Sequence, residues 1–127
     1  MAGTIIADTL THSTAGSVTT DYVVNGSAKA WVRFDPNTIT DSNNYSSATD
    51  NATGDFTFTF TSSLTDANFA VVYGGRGSAG TTGAFNNNAN QGGANSASSC
   101  RTVGSRTGTD TGADPAQLYN MVQGDLA

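Results

Sequence analysis

The sequence predicts an all-β fold, an antiparallel β-sandwich-like domain with long polar loops, and three observations favour it. Strand-forming Thr, Val, Phe and Tyr are common, whereas the chain has no Glu and one Lys, so strong helix formers are scarce. Residues 54–75, GDFTFTFTSSLTDANFAVVYGG, alternate apolar and polar side chains with the period of a half-buried strand. Thr, Ser, Asn and Gly make up 60 of the 127 residues, a composition typical of turns and polar loops.

The length predicts a single domain, residues 1–127, and its core is expected to be thin. Leu, Ile, Val and Phe number 21, about 17% of the chain. Chains below roughly 20% have difficulty in building a core of their own. We therefore expect copies of the chain to associate, because association buries apolar faces that a single copy leaves exposed to water.

Charge and hydropathy exclude two classes of partner. The net charge is −5 and the five cationic side chains are dispersed along the chain, so no basic surface for nucleic acid is expected. No apolar run approaches the ~20 residues of a membrane span, so membrane insertion is not expected. The N-terminus also lacks the basic start and long apolar core of a secretory signal.

The N-terminal part of the chain predicts an arm followed by two strands. Residues 1–12 place Ile5, Ile6 and Leu10 among polar residues, and we interpret them as an attachment arm. Residues 22–24 predict a short strand, and the Asn-Gly pair after them is typical of a tight turn. The second strand, AKAWVRF at 28–34, has two faces: Ala28, Ala30, Val32 and Phe34 on one, and Lys29, Trp31 and Arg33 on the other. Trp31 is either a surface platform or part of a second, partly buried face.

The middle of the chain predicts a loop and then a hairpin. Residues 35–53 are dense in turn signals, with a short strand at 44–47 that contains Tyr45. In the hairpin, SSLTDAN forms the turn, and each strand carries apolar residues on one face: Phe56, Phe58 and Phe60 on the first, and Phe69, Val71 and Tyr73 on the second. An isolated hairpin cannot cover such rings, so we expect another copy to cover them.

The C-terminal half predicts a variable, loop-rich segment at 74–114 and a final strand. The long Asn- and Gly-rich stretch in this segment has one large apolar residue, Phe85. It is either ordered by a neighbouring chain or sheet, or mobile. One more strand, SSCRTVGS, lies near its end. The chain closes with Leu118, Asn120 and Val122 alternating against Tyr119 and Met121, which favours a strand over a short helix starting near Asp114-Pro115.

The sequence shows no pattern typical of catalysis or cofactor binding. His12 is the only histidine, and no nucleophile elbow frames a serine. Cys100 is the only cysteine, and we interpret it as a small buried apolar residue. The Asp and Asn residues of the loops do not fit a calcium-binding template. We therefore expect no enzyme activity, no cofactor and no metal.

Three blocks of the sequence resemble a module of bacteriophage tail-fibre and virion-surface proteins. They carry the motifs NGSAKAWVRFD, TDNATGDFTFTFT and LTDANFAVV, together with the terminal VQGDLA. The resemblance covers roughly the first 73 residues and the last six. It departs from the family pattern in the compact PNTIT that follows WVRFD, and residues 74–114 match none of it.

The resemblance implies a homotrimeric structural protein of the virion surface, in the tail or the capsid, that is assembled in the host cytoplasm. The first function that it implies is a tail-fibre or tip-type module that presents loops for attachment to the host surface, with a host-surface glycan as the partner. The contact candidates are Trp31, Tyr45, Arg76, Phe85, Asn86, Asn87 and Asn88.

The second function is capsid decoration, as a cement or head-fibre protein that contacts other virion proteins. It is favoured because the chain begins almost at the module itself, without a further region that would dock on a tail. Ile5, Ile6 and Leu10 would then anchor the protein to the shell. In both cases the expected core and assembly residues also include Phe56, Phe58, Phe60, Phe69 and Val71.

Overall fold

The computed structural model describes residues 3, 6–35, 37–77, 85–87, 95–106 and 114–127, with 12, 85–87 and 104–106 described by their backbone alone. One short helix and ten strands follow each other along these ranges. In chain order they are β1 (Thr9–His12), β2 (Gly16–Thr19), α1 (Thr20–Gly26), β3 (Ala30–Asp35), β4 (Thr38–Asn43), β5 (Tyr45–Ala52), β6 (Asp55–Phe60), β7 (Ala70–Arg76), β8 (Phe85–Asn87), β9 (Ser99–Arg106) and β10 (Gln117–Gln123).

The strands form two four-stranded sheets and a small hairpin. The first sheet has the order β4-β3-β10-β7, the second has the order β5-β6-β9-β8, and β1 pairs with β2. Neighbouring strands run antiparallel in every pair. The predicted all-β class with antiparallel sheets is therefore confirmed.

One hydrophobic core lies against both sheets. Alternation along β3, β6 and β10 turns every second side chain inward, as the period of two requires. Phe34 of the first sheet meets two rings of the second, with centroid distances of 5.0 Å to Phe56 and 5.3 Å to Phe58. The remaining core side chains are Ala30, Val32, Tyr45, Phe60, Leu64, Cys100, Leu118 and Val122.

The predicted hairpin of residues 54–75 is wrong, although both of its strands exist. Strand β6 pairs with β5 and β9, whereas β7 pairs with β10 in the other sheet. The segment between them therefore crosses from one sheet to the other, and Phe60 meets Phe69 at 5.7 Å between ring centroids. This arrangement brings two apolar faces together, whereas a hairpin would leave both on the same side of one sheet.

We call the strand that carries Phe56, Phe58 and Phe60 the Phe-lined ribbon. The expectation that a second copy covers this ribbon is also wrong. Phe58 is 0% exposed in a single chain, and Phe56 and Phe60 are buried as well. Phe69 and Val71 are partly buried and pack against the same core. The strands of the opposite sheet supply the cover, so trimerisation through these rings is excluded by their burial.

Two segments of the N-terminal half differ from the prediction. Residues 22–24 form part of α1 and not a strand, with Asp21 in its first turn, where a negative charge is favourable. The predicted loop at 35–53 contains β4 and the eight residues of β5. Asn37 has φ 63°, a left-handed conformation that asparagine tolerates, and it lies in the tight turn between β3 and β4.

Asn44 turns the chain from the first sheet to the second. It is the single residue between β4 and β5 and has φ 59°. Its amide side chain donates to the Ser62 carbonyl at 3.0 Å and accepts from the Ser62 amide at 2.7 Å. These two bonds hold the corner against the end of β6, which explains why β5 pairs with β6 while β4 stays in the first sheet.

The C-terminal half contains more regular structure than predicted. Strand β7 continues to Arg76, and β8 and β9 lie within the segment predicted to be loop-rich. Residues 78–84, 88–94 and 107–113 lie outside the described residues. The strand predicted around Cys100 is confirmed as β9, and the final strand is confirmed as β10, which removes the alternative of a helix.

Candidate functional site

The exposed side of the first sheet carries a row of large apolar side chains. The register places Met121 of β10 directly beside Trp31 of β3 and Val72 of β7. All three are exposed, Val72 at 63%. Trp31 is therefore a surface residue, and it forms one continuous apolar row with its two neighbours.

A second row adjoins the first and is more polar. Tyr119 lies between Arg33 on β3 and Gly74 on β7. Nothing lies within 4 Å of where a Cβ of Gly74 would be, so no side chain covers the sheet at this position. Arg33 contacts Asp35 at 3.5 Å and its side chain is 48% exposed. We call the surface made by Trp31, Arg33, Val72, Tyr119 and Met121 the outer face.

The second candidate surface is the N-terminal arm, residues 6–27, made of the β1-β2 hairpin and α1. None of the helix residues is buried, and every described β2 residue is exposed. A shallow hollow of about 430 Å³ on the hairpin is lined by Leu10, Val18 and their neighbours. The exposed large apolar side chains of the arm are Ile6, Leu10, Val18, Tyr22, Val23 and Val24.

Hydrogen bonds hold the root of the arm against the body. The buried Lys29 ammonium donates to the carbonyl of Val24, and to the carbonyl and hydroxyl oxygens of Ser27 at 3.1 and 2.9 Å. A cation is favourable there because the carbonyls at the end of a helix carry partial negative charge. Gln123 of β10 donates to the carbonyls of Asn25 and Gly26 at 3.3 and 2.8 Å. Lys29, which directly precedes β3, and Gln123 on β10 thus fix the direction in which the arm leaves the two sheets.

Tyr45 is not a surface contact residue, contrary to the prediction. It is 7% exposed and its hydroxyl donates to the Asn120 side-chain oxygen at 2.8 Å, inside the core. Burial raises the pKa of Tyr45 and also that of Tyr73, whose hydroxyl lies 3.3 Å from the Cys100 sulfur. Both phenols therefore stay neutral, and Tyr45 is a structural residue of the core.

Cys100 is a buried apolar residue, as predicted. It is fully buried, and burial raises the pKa of its thiol. Two polar side chains are also buried: Thr102, two residues along β9, and Asn120, on β10 of the other sheet. The Thr102 hydroxyl and the Asn120 amide nitrogen have no hydrogen-bond partner within the described part of the chain.

A half-buried ion pair joins the neighbouring strands β6 and β9 of the second sheet. Arg101 donates through Nε to Asp55 at 2.7 Å and through a second nitrogen to the other carboxylate oxygen. Asn51 adds a bond to the same carboxylate at 3.2 Å. The bond from Arg101 holds the pKa of Asp55 below its usual value. The Asp55 carboxylate therefore compensates the charge of Arg101, and the role of Arg101 is structural.

The remaining predicted site residues are spread over the molecule. Arg76 is exposed at the end of β7, opposite Gln117. Strand β8, which holds Phe85, Asn86 and Asn87, lies beside β7, but only its backbone is described. Ile6 and Leu10 are exposed and do not belong to the core, Ile6 being 93% exposed. Ile5 and Asn88 lie outside the described residues.

The described ranges contain neither a metal-binding cluster nor a membrane-spanning helix. No three His, Cys, Asp or Glu side chains of that part of the chain come together in a way that could hold a metal ion. No helix in the same ranges is both long and apolar enough to cross a membrane. No family model, no curated protein and no solved structure matches the chain.

Sequence reasoning found Trp31 but missed the residues that accompany it. Val72, Tyr119 and Met121 belong to strands distant in sequence, and only the order β3-β10-β7 brings them beside Trp31. The available signal was the alternation of β10, in which Tyr119 and Met121 point away from the buried residues. That signal shows which side chains are exposed but not which strand lies next to them.

Proposed function

We propose that this chain is a structural protein of the bacteriophage virion surface that acts by association and not by catalysis. One observation carries the proposal. Eleven large apolar side chains are exposed in the described residues, and all but Leu126 lie on the N-terminal arm or the outer face. Apolar side chains concentrated in this way mark interaction surfaces. The resemblance to tail-fibre and virion-surface modules supports the virion as the assembly in which this chain takes part.

The proposed architecture is a β-sandwich-like domain whose two sheets pack face to face. The contacts of Phe34 with Phe56 and Phe58 support it, because these rings come from different sheets. Such a body is rigid and can carry loops at its ends and edges. The proposed oligomer is a homotrimer, with a mass three times the 12.9 kDa of the chain. Its contacts are the arm and the outer face, since the Phe-lined ribbons are buried.

The first proposed role is a tail-fibre or tip-type module that attaches to the host surface, with a glycan as the contacted molecule. The edge at which β7 and β8 meet supports it, because β7 ends at the exposed Arg76 and β8 has the sequence Phe-Asn-Asn. Arg presents several donors that suit hydroxyl and carboxylate groups. Arg76→Ala should slow phage adsorption without changing the mass of the oligomer, whereas Leu126→Ala should change neither.

The second proposed role is capsid decoration, and the N-terminal arm favours it. An arm that exposes Ile6, Leu10 and Val18 is suited to insertion between subunits of a shell. The two roles are separated by imaging intact virions in which this protein carries a label. Label at the tail tip supports attachment, regular label over the shell supports decoration, and a label on neither overturns the virion proposal as a whole.

A further inference from the structure

We propose that the N-terminal arm unfolds separately from the two large sheets, here called the body, and that two side chains of the body form a latch that keeps the arm folded. The latch residues are Lys29 and Gln123. When the latch opens, residues 6–27 unfold while both large sheets stay intact. The latch goes beyond the proposed function, because it is a property of one chain and requires no partner on any exposed surface.

The arm has few contacts of its own that could keep it folded. Strands β1 and β2 have four residues each and pair only with each other, and α1 has seven residues. Isolated hairpins and helices of these lengths are marginal in water. No residue of α1 is buried, and Leu10 and Val18, which pair across the hairpin, are both exposed. A segment with so few buried apolar contacts is expected to open before the rest of the protein does.

The boundary between the arm and the body lies just before Lys29. On the arm side, the Thr20 amide donates to the Asp8 carbonyl at 3.0 Å and joins α1 to the hairpin. On the body side, the Lys29 amide donates to the Val122 carbonyl at 2.8 Å, which fixes Lys29 beside β10. Gln123 is the next residue of β10. Both latch residues are therefore anchored at the same place on the body.

The latch caps the C-terminal end of α1. The last four carbonyls of a helix have no partner within the helix and carry partial negative charge. Lys29 donates to the carbonyl of Val24. Gln123 donates to the carbonyls of Asn25 and Gly26, at 3.3 and 2.8 Å. The last turn of α1 has no basic residue, so the cation that stabilises this end of the helix comes from the body.

The ammonium group of Lys29 is held by oxygen atoms of the arm. Besides the carbonyl of Val24, it donates to the carbonyl and hydroxyl oxygens of Ser27 at 3.1 and 2.9 Å. Lys29 is buried, and it is the only lysine of the chain. Opening of the arm breaks these bonds and exposes this one amine. The rate at which Lys29 reacts with a reagent in solution therefore reports how often the latch is open.

Acylation by a succinimidyl ester of acetic acid measures that rate. The amine nitrogen of Lys29 takes the acetyl group, N-hydroxysuccinimide leaves, and the amine proton goes to the buffer. Peptide mass spectrometry follows the product on the purified full chain and separates it from acetylation of the N-terminal amine. In the native protein Lys29 should react at least about tenfold more slowly than in the same chain unfolded in urea.

Gln123→Ala opens the latch without touching the buried cation. It removes two of the bonds that cap α1 and should speed the acylation of Lys29 about tenfold. The matched control is Gln117→Ala, the same change at the other end of β10, where no residue of the arm is bonded to the side chain. Its acylation rate should equal that of wild type.

Hydrogen exchange, measured by mass spectrometry on the same proteins, locates the opening. In Gln123→Ala, the amides of residues 6–27 should exchange about tenfold faster, while those of β6 and β9 keep their wild-type rates. Lys29→Met retains a long side chain but removes the cation, so it should also speed exchange in the arm. If Lys29→Met does not fold, Gln123→Ala decides alone, because Gln123 is exposed and its truncation leaves the core unchanged.

Three results would overturn the latch. Native Lys29 that reacts as fast as in urea would show that the arm does not hold it. Equal acylation rates in wild type and Gln123→Ala would show that Gln123 does not keep the arm closed. Faster exchange in β6 and β9 as well as in the arm would show that arm and body unfold as one unit. None of these outcomes depends on whether the protein belongs to a virion, so the latch and the proposed function fail separately.

Discussion

Truncation of Phe58 is the most direct test of the core. Its ring is fully buried and lies 5.3 Å from Phe34 and 5.8 Å from Tyr45 between centroids. Strand β6 is bonded on both sides, to β5 and β9, so the backbone cannot move in to fill the space. Phe58→Ala should therefore lower the free energy of unfolding by about 4 kcal/mol, within the usual range of 3–5 for such changes. For a chain of 127 residues, the melting temperature should fall by about 15 °C.

Urea unfolding at a fixed protein concentration measures this loss, with an unchanged slope as the sign that only stability has changed. Leu126→Ala is the control, because its side chain is exposed and its loss should cost no more than about 0.5 kcal/mol. A loss below about 1 kcal/mol for Phe58→Ala would refute the assignment of this ring to the core. Phe58→Asp should not fold at all, because it buries a carboxylate without a partner.

Three further predictions concern buried polar groups. The bond from Arg101 lowers the pKa of Asp55 below its unfolded value of 3.8, so its stabilisation is present above that pH and is lost as the pH falls through the lower folded pKa. Asp55→Asn should flatten the acid side of the curve of unfolding free energy against pH; an unchanged curve contradicts the pairing. Tyr45→Phe should cost about 1–3 kcal/mol in urea unfolding, since Asn120 loses its donor. Cys100 should react with thiol reagents only after unfolding, and a fast reaction of the native protein would disprove its burial.

The strands that alternate clearly were predictable from the sequence. In β3, β6 and β10, the apolar residues fall at every second position, and Val32, Phe58 and Leu118 are all buried as the alternation requires. The burial of Cys100 was predictable for a similar reason, since small apolar residues in a strand favour the inner face. These features depend on residues close in sequence, which is why they can be seen without the fold.

The segments that were predicted wrongly have weak local patterns. Residues 20–26 contain neighbouring Val residues that favour a strand, yet the chain there forms α1, whose root is held by Lys29 and Gln123. Tyr45 has polar neighbours on both sides, so its sequence gives no sign that its hydroxyl bonds to Asn120, a residue 75 positions away. In both cases a distant side chain decides the local structure.

By itself, the sequence determined the all-β class, the inward faces of the alternating strands and the shortage of apolar residues. The tertiary structure decided which strands are neighbours: it placed β6 and β7 in different sheets, covered the Phe-lined ribbon within one chain, and joined Trp31, Met121 and Val72 into one exposed row. The physical reason is that alternation is set by the local backbone, whereas strand pairing depends on which other apolar faces in the whole chain are available to be covered.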